Sequence, residues 1–283
     1  MKQLIARTGK WAAAACVAAG LIVAGQVYAD SHGEADQAPI HGYTDTPIIP
    51  GTPWHVHDPH RPQPAIIEGT SALTTPAPAD AIVLFDGNGL DAFMADDGSV
   101  AAWTVSDGTM RTNGTGSVTT REAFGDIQMH VEFMAPNPDE GDGQSRGNSG
   151  LFFMGQYEVQ ILDSYQNPTY PDGQAGALYG QEPPLVNASA PAQSWQSYDI
   201  MFEAPRFDAD GTVISPAFVT VLHNGVLVQN RTAFDGATAH RALAHYTAHD
   251  DALPLSIQDH GQEVALRNIW VRKLDLGGAR QAP

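Results

Sequence analysis

Residues 148–164 read NSGLFFMGQYEVQILDS and contain two apolar runs separated by Gly155-Gln156. Two such runs around a short glycine-containing turn predict a β-hairpin. In the second run, Tyr157, Val159 and Ile161 alternate with polar residues and therefore share one face of a strand. This stretch predicts two antiparallel strands with one face in an apolar core.

Strand patterns continue along the chain on both sides of this hairpin. Residues 127–133 alternate between apolar and polar side chains, and 264–273 form a last apolar run. Residues 218–222 and 226–229 flank His223-Asn224-Gly225, and Asn-Gly between apolar runs is the strongest short hairpin signal. Residues 238–248 are compatible with a short helix or with an irregular loop. The sequence thus predicts an all-β fold, an antiparallel jelly-roll sandwich over residues 81–274 with a flexible tail at 275–283.

Composition limits the possible functions. Gly and Pro are frequent (28 and 20 of 283 residues) and only 16% of residues are charged, which argues against a helical bundle. The formal net charge of −18, with only 14 Lys and Arg, excludes a nucleic-acid partner, because a phosphate backbone requires a basic face. It also makes binding to an anionic membrane surface unfavourable.

The first 29 residues have the pattern of a secretory signal peptide. Basic residues precede an apolar run at 11–25, and a small-x-small-like cleavage site follows at 27–29. A retained membrane anchor is the alternative, but the run of about 15 residues is short for a span of roughly 20. We expect an exported protein, periplasmic or extracellular, with no membrane attachment after cleavage. Cleavage would remove Cys16, the only cysteine, and with it any disulfide or Cys–zinc site.

Residues 30–80 are rich in Pro and His and predict an extended arm or linker. His55 and His57 would share one face of an extended segment and are weak candidates for a zinc or copper site. The alternative is a docked or mobile arm without metal. Asp208 and Asp210 are equally weak candidates for calcium, since acidic turns supply oxygen ligands. The sequence therefore assigns no cofactor, and a divalent cation such as calcium is the alternative.

Two segments carry groups suited to chemistry. On the second hairpin strand, Glu158 and Gln160 share the face opposite the core, where a carboxyl beside an amide would suit a concave sugar-binding surface. A solvated outer face is the alternative. In LSIQDHG (255–261), a strand would align Gln258 with His260, and histidine can serve as acid or base near neutral pH. A histidine hydrogen-bonded at a strand end is the alternative there.

Eight motifs in order make the chain resemble the 3-keto-disaccharide hydrolase family over about residues 81–274. They are LFDGNGLDAF (84–93), WTVSDGTM (103–110), GNSGLFFMGQYEVQILDS (147–164), GALYG (176–180), WQSYDI (195–200), VTVLHNGVLVQN (219–230), LSIQDHG (255–261) and LRNIWVRKL (266–274). The resemblance implies a concanavalin A-like lectin/glucanase sandwich and a carbohydrate substrate. It points to Glu158 and His260 as catalytic residues, and to a set of substrate-binding candidates: Asn148, Gln160, Asp163, Tyr179, Asp199, Gln258, Asp259 and Arg267.

The reaction implied by this resemblance differs from ordinary glycoside hydrolysis. A retaining glycosidase requires two carboxyl groups about 5–5.5 Å apart, but Gln160 stands where the strand would offer a second acid. A ketone at C3 of a sugar instead acidifies the hydrogen at C2, so a base can form an enolate that expels the C1 substituent before water adds. We therefore expect an exported glycoside hydrolase acting on 3-keto glycosides or related disaccharides. A non-catalytic lectin-like module and an envelope scaffold are the alternatives.

Overall fold

The computed structural model describes residues 41–137 and 141–276. The predicted signal peptide, the first part of the predicted arm and most of the predicted tail lie outside these residues. Short 3-10 turns occur at Gly143–Ser145 and Pro171–Gly173. None of the described helices is long and apolar enough to span a bilayer.

Seventeen β-strands make up the regular structure of the described residues. They are β1 Ala65–Ile66, β2 Ile82–Phe85, β3 Phe93–Ala95, β4 Thr104–Ser106, β5 Thr109–Arg111, β6 Val118–Phe124, β7 Ile127–Met134, β8 Ser149–Phe153, β9 Tyr157–Ile161, β10 Val186–Asn187, β11 Gln196–Glu203, β12 Arg206–Phe207, β13 Val213–Ser215, β14 Phe218–His223, β15 Val226–Ala233, β16 Leu253–Ile257 and β17 Ala265–Lys273.

Two antiparallel sheets form the sandwich. The larger sheet has the order β15-β14-β11-β7-β17-β5-β4, with β2 also paired to β17, and the smaller sheet has the order β3-β6-β16-β8-β9. The aromatic rings of Phe153 on β8 and Phe202 on β11 stack across the two sheets with centroids 4.7 Å apart. This packing confirms the predicted all-β antiparallel sandwich, whose strands span Ile82 to Lys273.

Both predicted hairpins are present, and the turn of each contains two consecutive residues in the left-handed backbone conformation. Met154 and Gly155 have φ values of 55° and 66° between β8 and β9, and Asn224 and Gly225 have 52° and 79° between β14 and β15. Consecutive positive φ values give the turn the twist that matches two paired strands. The segment at residues 238–248 is irregular, with a single bridge between Ala237 and His245, so of the two predicted alternatives the loop is the one observed.

The two faces of β9 separate the core from the site. Tyr157, Val159 and Ile161 are fully buried in the apolar core, as their alternation predicts. Glu158 and Gln160 point to the opposite face and are also buried. A solvated outer face would leave them exposed, so other parts of the chain must cover this face of the smaller sheet.

The N-terminal arm provides part of that cover. Its Val56 and His57 are fully buried, and the guanidinium of Arg61 donates to the carbonyl of Gln181 (2.9 Å) and pairs with Glu182 (2.8 Å). Further along, β1 pairs in parallel with β10. The arm is therefore docked on the sandwich from residue 41 onward.

Candidate functional site

A cavity of about 630 Å³ lies over the smaller sheet, beside β8 and β9. Phe152 of β8 and Glu158 and Gln160 of β9 form its floor, while arm residues such as Tyr43 and the loop around His240 form its walls. Six of the ten residues expected in the site line this one cavity: Asn148, Glu158, Gln160, Tyr179, Gln258 and His260. The two catalytic candidates, which are about 100 residues apart in the chain, therefore converge.

Glu158 supplies a carboxyl that is largely removed from water. The residue is 3% exposed, and its burial raises the pKa of the carboxyl from 4.5 to about 8. Its backbone N–H donates to the hydroxyl of Thr238 (3.0 Å), whose own N–H donates to the carbonyl of Gln156 (2.8 Å), so this segment holds the start of β9. At neutral pH this carboxyl is mainly protonated and can donate a proton.

A chain of amides lies beside this carboxyl. Gln160 Nε2 donates to Gln144 Oε1 (3.0 Å), and Asn148 Nδ2 donates to the backbone carbonyl of Gln144 (2.8 Å). Gln144 is itself held by its Nε2, which donates to Thr169 Oγ1 (3.0 Å). Gln160 Oε1 is buried but accepts no hydrogen bond from the described residues. Since buried polar atoms are normally paired, this oxygen is a ready acceptor for a ligand hydroxyl.

His260 and Gln258 reach the cavity from a loop. The sequence predicted that a strand would align Gln258 with His260. Strand β16 ends at Ile257, however, so the two residues lie beyond the regular strand. The backbone N–H of Gln258 still donates to Gly150 (3.0 Å), which continues the sheet by one residue. Asp259 then closes a turn by accepting N–H groups from Gly261 (2.9 Å) and Gly114 (2.7 Å). Asp259 does not line the cavity but shapes the loop that carries His260.

Three other residues expected in the site do not line the cavity, and the side chain of each contacts an oppositely charged or titratable partner elsewhere. Asp163 accepts from Arg146 (2.6 Å) and is buried. Asp199 on β11 pairs with His130 (2.8 Å), in the larger sheet.

Arg267 also belongs to the larger sheet. Its Nε donates to Glu132 (2.8 Å) and its guanidinium lies 3.9 Å from the ring centre of Trp195. The structure thus does not bring Asp163, Asp199 or Arg267 to the cavity. Asp163 is held by Arg146, and Asp199 and Arg267 lie on strands of the larger sheet.

The weak metal candidates are separated from one another. His55 Nδ1 contacts the carbonyl of Thr46, whereas His57 Nδ1 lies 3.3 Å from Asp172. Asp208 accepts the N–H groups of Asp210 and Thr212 and so organises a turn. Within residues 41–137 and 141–276, no three His, Cys, Asp or Glu side chains are grouped to hold a metal ion.

Sequence reasoning missed Tyr43 and His240, and it considered Tyr170 only as one of several aromatic residues whose rings could stack on a sugar. Tyr43 comes from the arm, Tyr170 from the loop after β9, and His240 from the irregular segment. The hydroxyl of Tyr179 joins two of them, at 2.8 Å from Tyr170 Oη and 3.0 Å from His240 Nδ1. Only the abundance of His and Tyr in these irregular segments hinted at such a role.

One protein-family model matches the part of the chain that forms the sandwich. The model of the 3-keto-alpha-glucoside-1,2-lyase-like domain covers residues 80–272, about two-thirds of the chain. The chain belongs to this family. The residues that line the cavity therefore come from the 3-keto-alpha-glucoside-1,2-lyase-like domain and from the arm that precedes it.

Individual relatives agree with the family assignment. A provisionally assigned glycosyl hydrolase of Parabacteroides distasonis ATCC 8503 is 44% identical, with a TM-score of 0.68 over 70% of this chain and 86% of its own. A 3-keto-disaccharide hydrolase of Bacteroides thetaiotaomicron is 24% identical over 72% of this chain and 82% of its own. A second Parabacteroides distasonis structure, 18% identical with a TM-score of 0.52, covers 69% of this chain and 94% of its own and shares the fold. The family model and the 44% identical structure therefore agree on the same kind of domain, and the second Parabacteroides distasonis structure agrees on the fold.

Proposed function

We propose that the protein is an exported enzyme that cleaves 3-keto glycosides, with a disaccharide as the substrate class. The observation that carries this proposal is the convergence of Glu158 and His260 in a cavity of a 3-keto-alpha-glucoside-1,2-lyase-like domain. Amides and tyrosines supply most of the other polar groups in the lining. Such groups recognise sugar hydroxyls by hydrogen bonding, and the aromatic faces suit the apolar faces of a sugar ring.

The proposed reaction begins with transfer of the C2 proton of the 3-keto sugar to a base. The C2–H electron pair forms an enolate with the C3 carbonyl. The enolate then re-forms the C3 carbonyl, and its C2 electrons make a C1–C2 double bond as the C1–O bond breaks. The leaving oxygen takes a proton from an acid. Water finally adds to C1 while C2 regains a proton, so the net result is hydrolysis.

The raised pKa of Glu158 supports one division of roles at neutral pH. Its carboxyl, with a pKa of about 8, holds the proton that the leaving oxygen needs. His260 then serves as the base at C2, since neutral imidazole accepts a proton near pH 7. The amide of Gln258, also in the lining, is the proposed donor to the enolate oxygen.

The described lining of this cavity does not contain the pair of buried carboxyl groups that a retaining glycosidase uses. Besides Glu158, the described lining contains one other carboxyl, that of Asp142. The Asp142 side chain is 79% exposed and pairs with His41 (3.1 Å) at the edge of the cavity. A water-exposed carboxylate in that position does not complete the buried pair that a retaining glycosidase uses.

Export is part of the proposal and is supported by the sequence of the first 29 residues, with cleavage before Asp30. It can be tested separately by N-terminal sequencing of the protein recovered from the periplasm or medium of the producing bacterium. An N-terminus at Asp30 supports it, and an intact N-terminus in the cytoplasm contradicts it.

The decisive test incubates the purified protein with matched native and 3-keto disaccharides in D2O. Cleavage of the 3-keto compound alone, with deuterium at C2 of the released sugar, supports proton abstraction and elimination. Cleavage without deuterium at C2 contradicts the route. Binding of either sugar without cleavage favours the lectin-like alternative, and failure to bind both contradicts a carbohydrate function.

Two variants test the roles. We expect Glu158→Gln and His260→Asn to lower kcat by about 10²–10⁴ fold, as is typical when an acid or base is lost. Glu122→Gln is the matched control, because Glu122 is exposed and pairs only with Lys273 (2.7 Å) among the ion pairs observed. Unchanged kcat in either site variant would exclude that residue from proton transfer.

A further inference from the structure

The strongest unexplained group is a buried histidine of the arm, outside the region that matches the family. His57 is fully buried, and its Nδ1 lies 3.3 Å from Asp172 Oδ1 while its backbone N–H donates to Asp172 Oδ2 (2.9 Å). Its φ of 61° is left-handed, a conformation that residues other than glycine rarely adopt. The surrounding contacts therefore hold this arm residue firmly in place.

The ring of His57 packs directly behind the cavity wall. Its centroid lies 4.3 Å from the ring centre of Tyr170, 4.7 Å from that of Tyr179 and 5.3 Å from that of His240. Nε2 of His57 is buried and has no hydrogen-bond partner among the described residues. The three rings that it contacts all line the cavity.

These three residues form one hydrogen-bonded chain. Tyr170 Oη lies 2.8 Å from Tyr179 Oη, which lies 3.0 Å from His240 Nδ1. When Tyr170 donates to Tyr179, the proton of Tyr179 is directed to His240 Nδ1. Neutral His240 then carries its own proton on Nε2, so this ring nitrogen becomes a hydrogen-bond donor.

On this basis we propose that His57 is a positioning residue, which together with Asp172 holds the Tyr179 hydroxyl and the His240 ring in place to contact the substrate. The inference rests on the proposed function. His240 would donate a hydrogen bond to an oxygen of the 3-keto sugar, and the arm would thus be part of the active site.

The electrostatic surroundings agree with a neutral His240. Burial lowers its pKa, and the charges of His57, Arg241 and His260 lower it further. Titratable and charged groups face His240 from several elements: His57 and Tyr43 from the arm, Tyr179 from the loop after β9, His260 from the loop after β16, and the adjacent Arg241. Arg241 is itself paired with Asp45 (3.0 Å).

The test compares two substitutions at His57 with one control. His57→Phe keeps a ring against the tyrosines but removes the side-chain contact with Asp172, leaving only the backbone N–H bond to that carboxyl, whereas His57→Asn keeps a side-chain donor for Asp172 but removes the ring. His55→Asn is the matched control, since His55 lies two residues away and contacts Thr46 within the arm. The readouts are the NMR titration of His240, assigned with His240→Asn, the thermal midpoint, and kcat and KM on a 3-keto disaccharide.

We expect both His57 variants to raise the titration midpoint of His240, because they loosen the packing against its ring, and burial is the main cause of its lowered pKa. We also expect kcat to fall about tenfold or more while KM changes less than about threefold, since misplaced groups cost mainly the chemical step. The control should change neither quantity. If a His57 variant does not fold, Tyr179→Phe, which removes only the bridging hydroxyl, should give the same fall in kcat.

The possible outcomes separate this inference from the proposed function. A folded His57 variant with an unchanged His240 titration and unchanged kcat would overturn the positioning role, as would unchanged kcat in Tyr179→Phe. A wild-type protein that cleaves no 3-keto glycoside would overturn the proposed function and any contact of His240 with that substrate. The His240 titration would still show whether His57 controls the environment of that ring.

Discussion

Gly150 on β8 leaves the space that the side chain of Glu158 on β9 occupies. A Cβ built on Gly150 would collide with Glu158 Oε1 and would lie 3.0 Å from the Phe152 ring. Because Gly150 pairs with Gln160 in the ladder, the two strands cannot move apart to relieve the collision. The glycine therefore determines where the carboxyl of Glu158 lies in the cavity.

Gly150→Ala should displace this carboxyl and lower kcat by about 10² fold, the order expected when a reacting group moves by about 1 Å. It should also lower stability, since a core strand has little room for an added methyl group. Gly89→Ala is the control, because a Cβ there would meet only Asp91 Oδ2, at 3.9 Å. Full activity in Gly150→Ala would show that Glu158 is not positioned in this way. The measurements are kcat and the thermal midpoint.

The raised pKa of Glu158 predicts a pH-dependent stability. In the folded protein the carboxyl keeps its proton up to about pH 8, whereas in the unfolded chain it ionises near pH 4.5. The stability linked to this proton is therefore complete below about pH 4.5 and is lost as the pH rises through 8.

Glu158→Gln has no such proton to lose, so its free energy of unfolding should rise relative to wild type by about 1.4 kcal/mol per pH unit within this interval. Urea titrations at pH 5 and pH 8 measure the difference, with Glu122→Gln as control. A difference between wild type and Glu158→Gln that is independent of pH would show that the carboxyl is ionised in the folded protein.

Arg61 tests the docking of the arm. Its guanidinium is mostly buried and bonds Gln181 and Glu182. Arg61→Ala should lower the free energy of unfolding by about 1–3 kcal/mol, because a buried carbonyl loses its charged donor. Arg121→Ala is the control, since Arg121 is exposed and its Nε donates to the carbonyl of Asp91. Equal stability in the two variants would mean that the arm adds little through this contact.

A second cavity of about 420 Å³ shares Phe152 and Gln258 with the first. Ser256 of β16 lines only this second space. If the leaving part of a disaccharide occupies it, Ser256→Leu should raise KM for a 3-keto disaccharide by about tenfold, the effect of about 1.4 kcal/mol. KM for a 3-keto methyl glycoside, which is too short to reach there, should not change. Equal effects on both substrates would contradict this placement.

Local sequence patterns were sufficient to predict individual strands and turns of the sandwich. The alternation in Tyr157, Val159 and Ile161 placed them in the core, and Asn224-Gly225 formed the predicted hairpin turn. Both features depend on neighbouring residues only, through side-chain alternation along a strand and the positive φ values of a tight turn. The same reasoning placed Glu158 and Gln160 together on one face.

Which of the remaining candidates share a site depends on how the strands and loops pack in three dimensions. Asp199 and Arg267 were plausible from their motifs, but strand order places them in the larger sheet, in ion pairs with His130 and Glu132. Conversely, the structure brings the arm's His57 against His240, which follows it by more than 180 residues. Such contacts depend on sheet order and on the docking of irregular segments, and neither is encoded in a local pattern. The burial that raises the pKa of Glu158 likewise arises only when distant segments cover its strand.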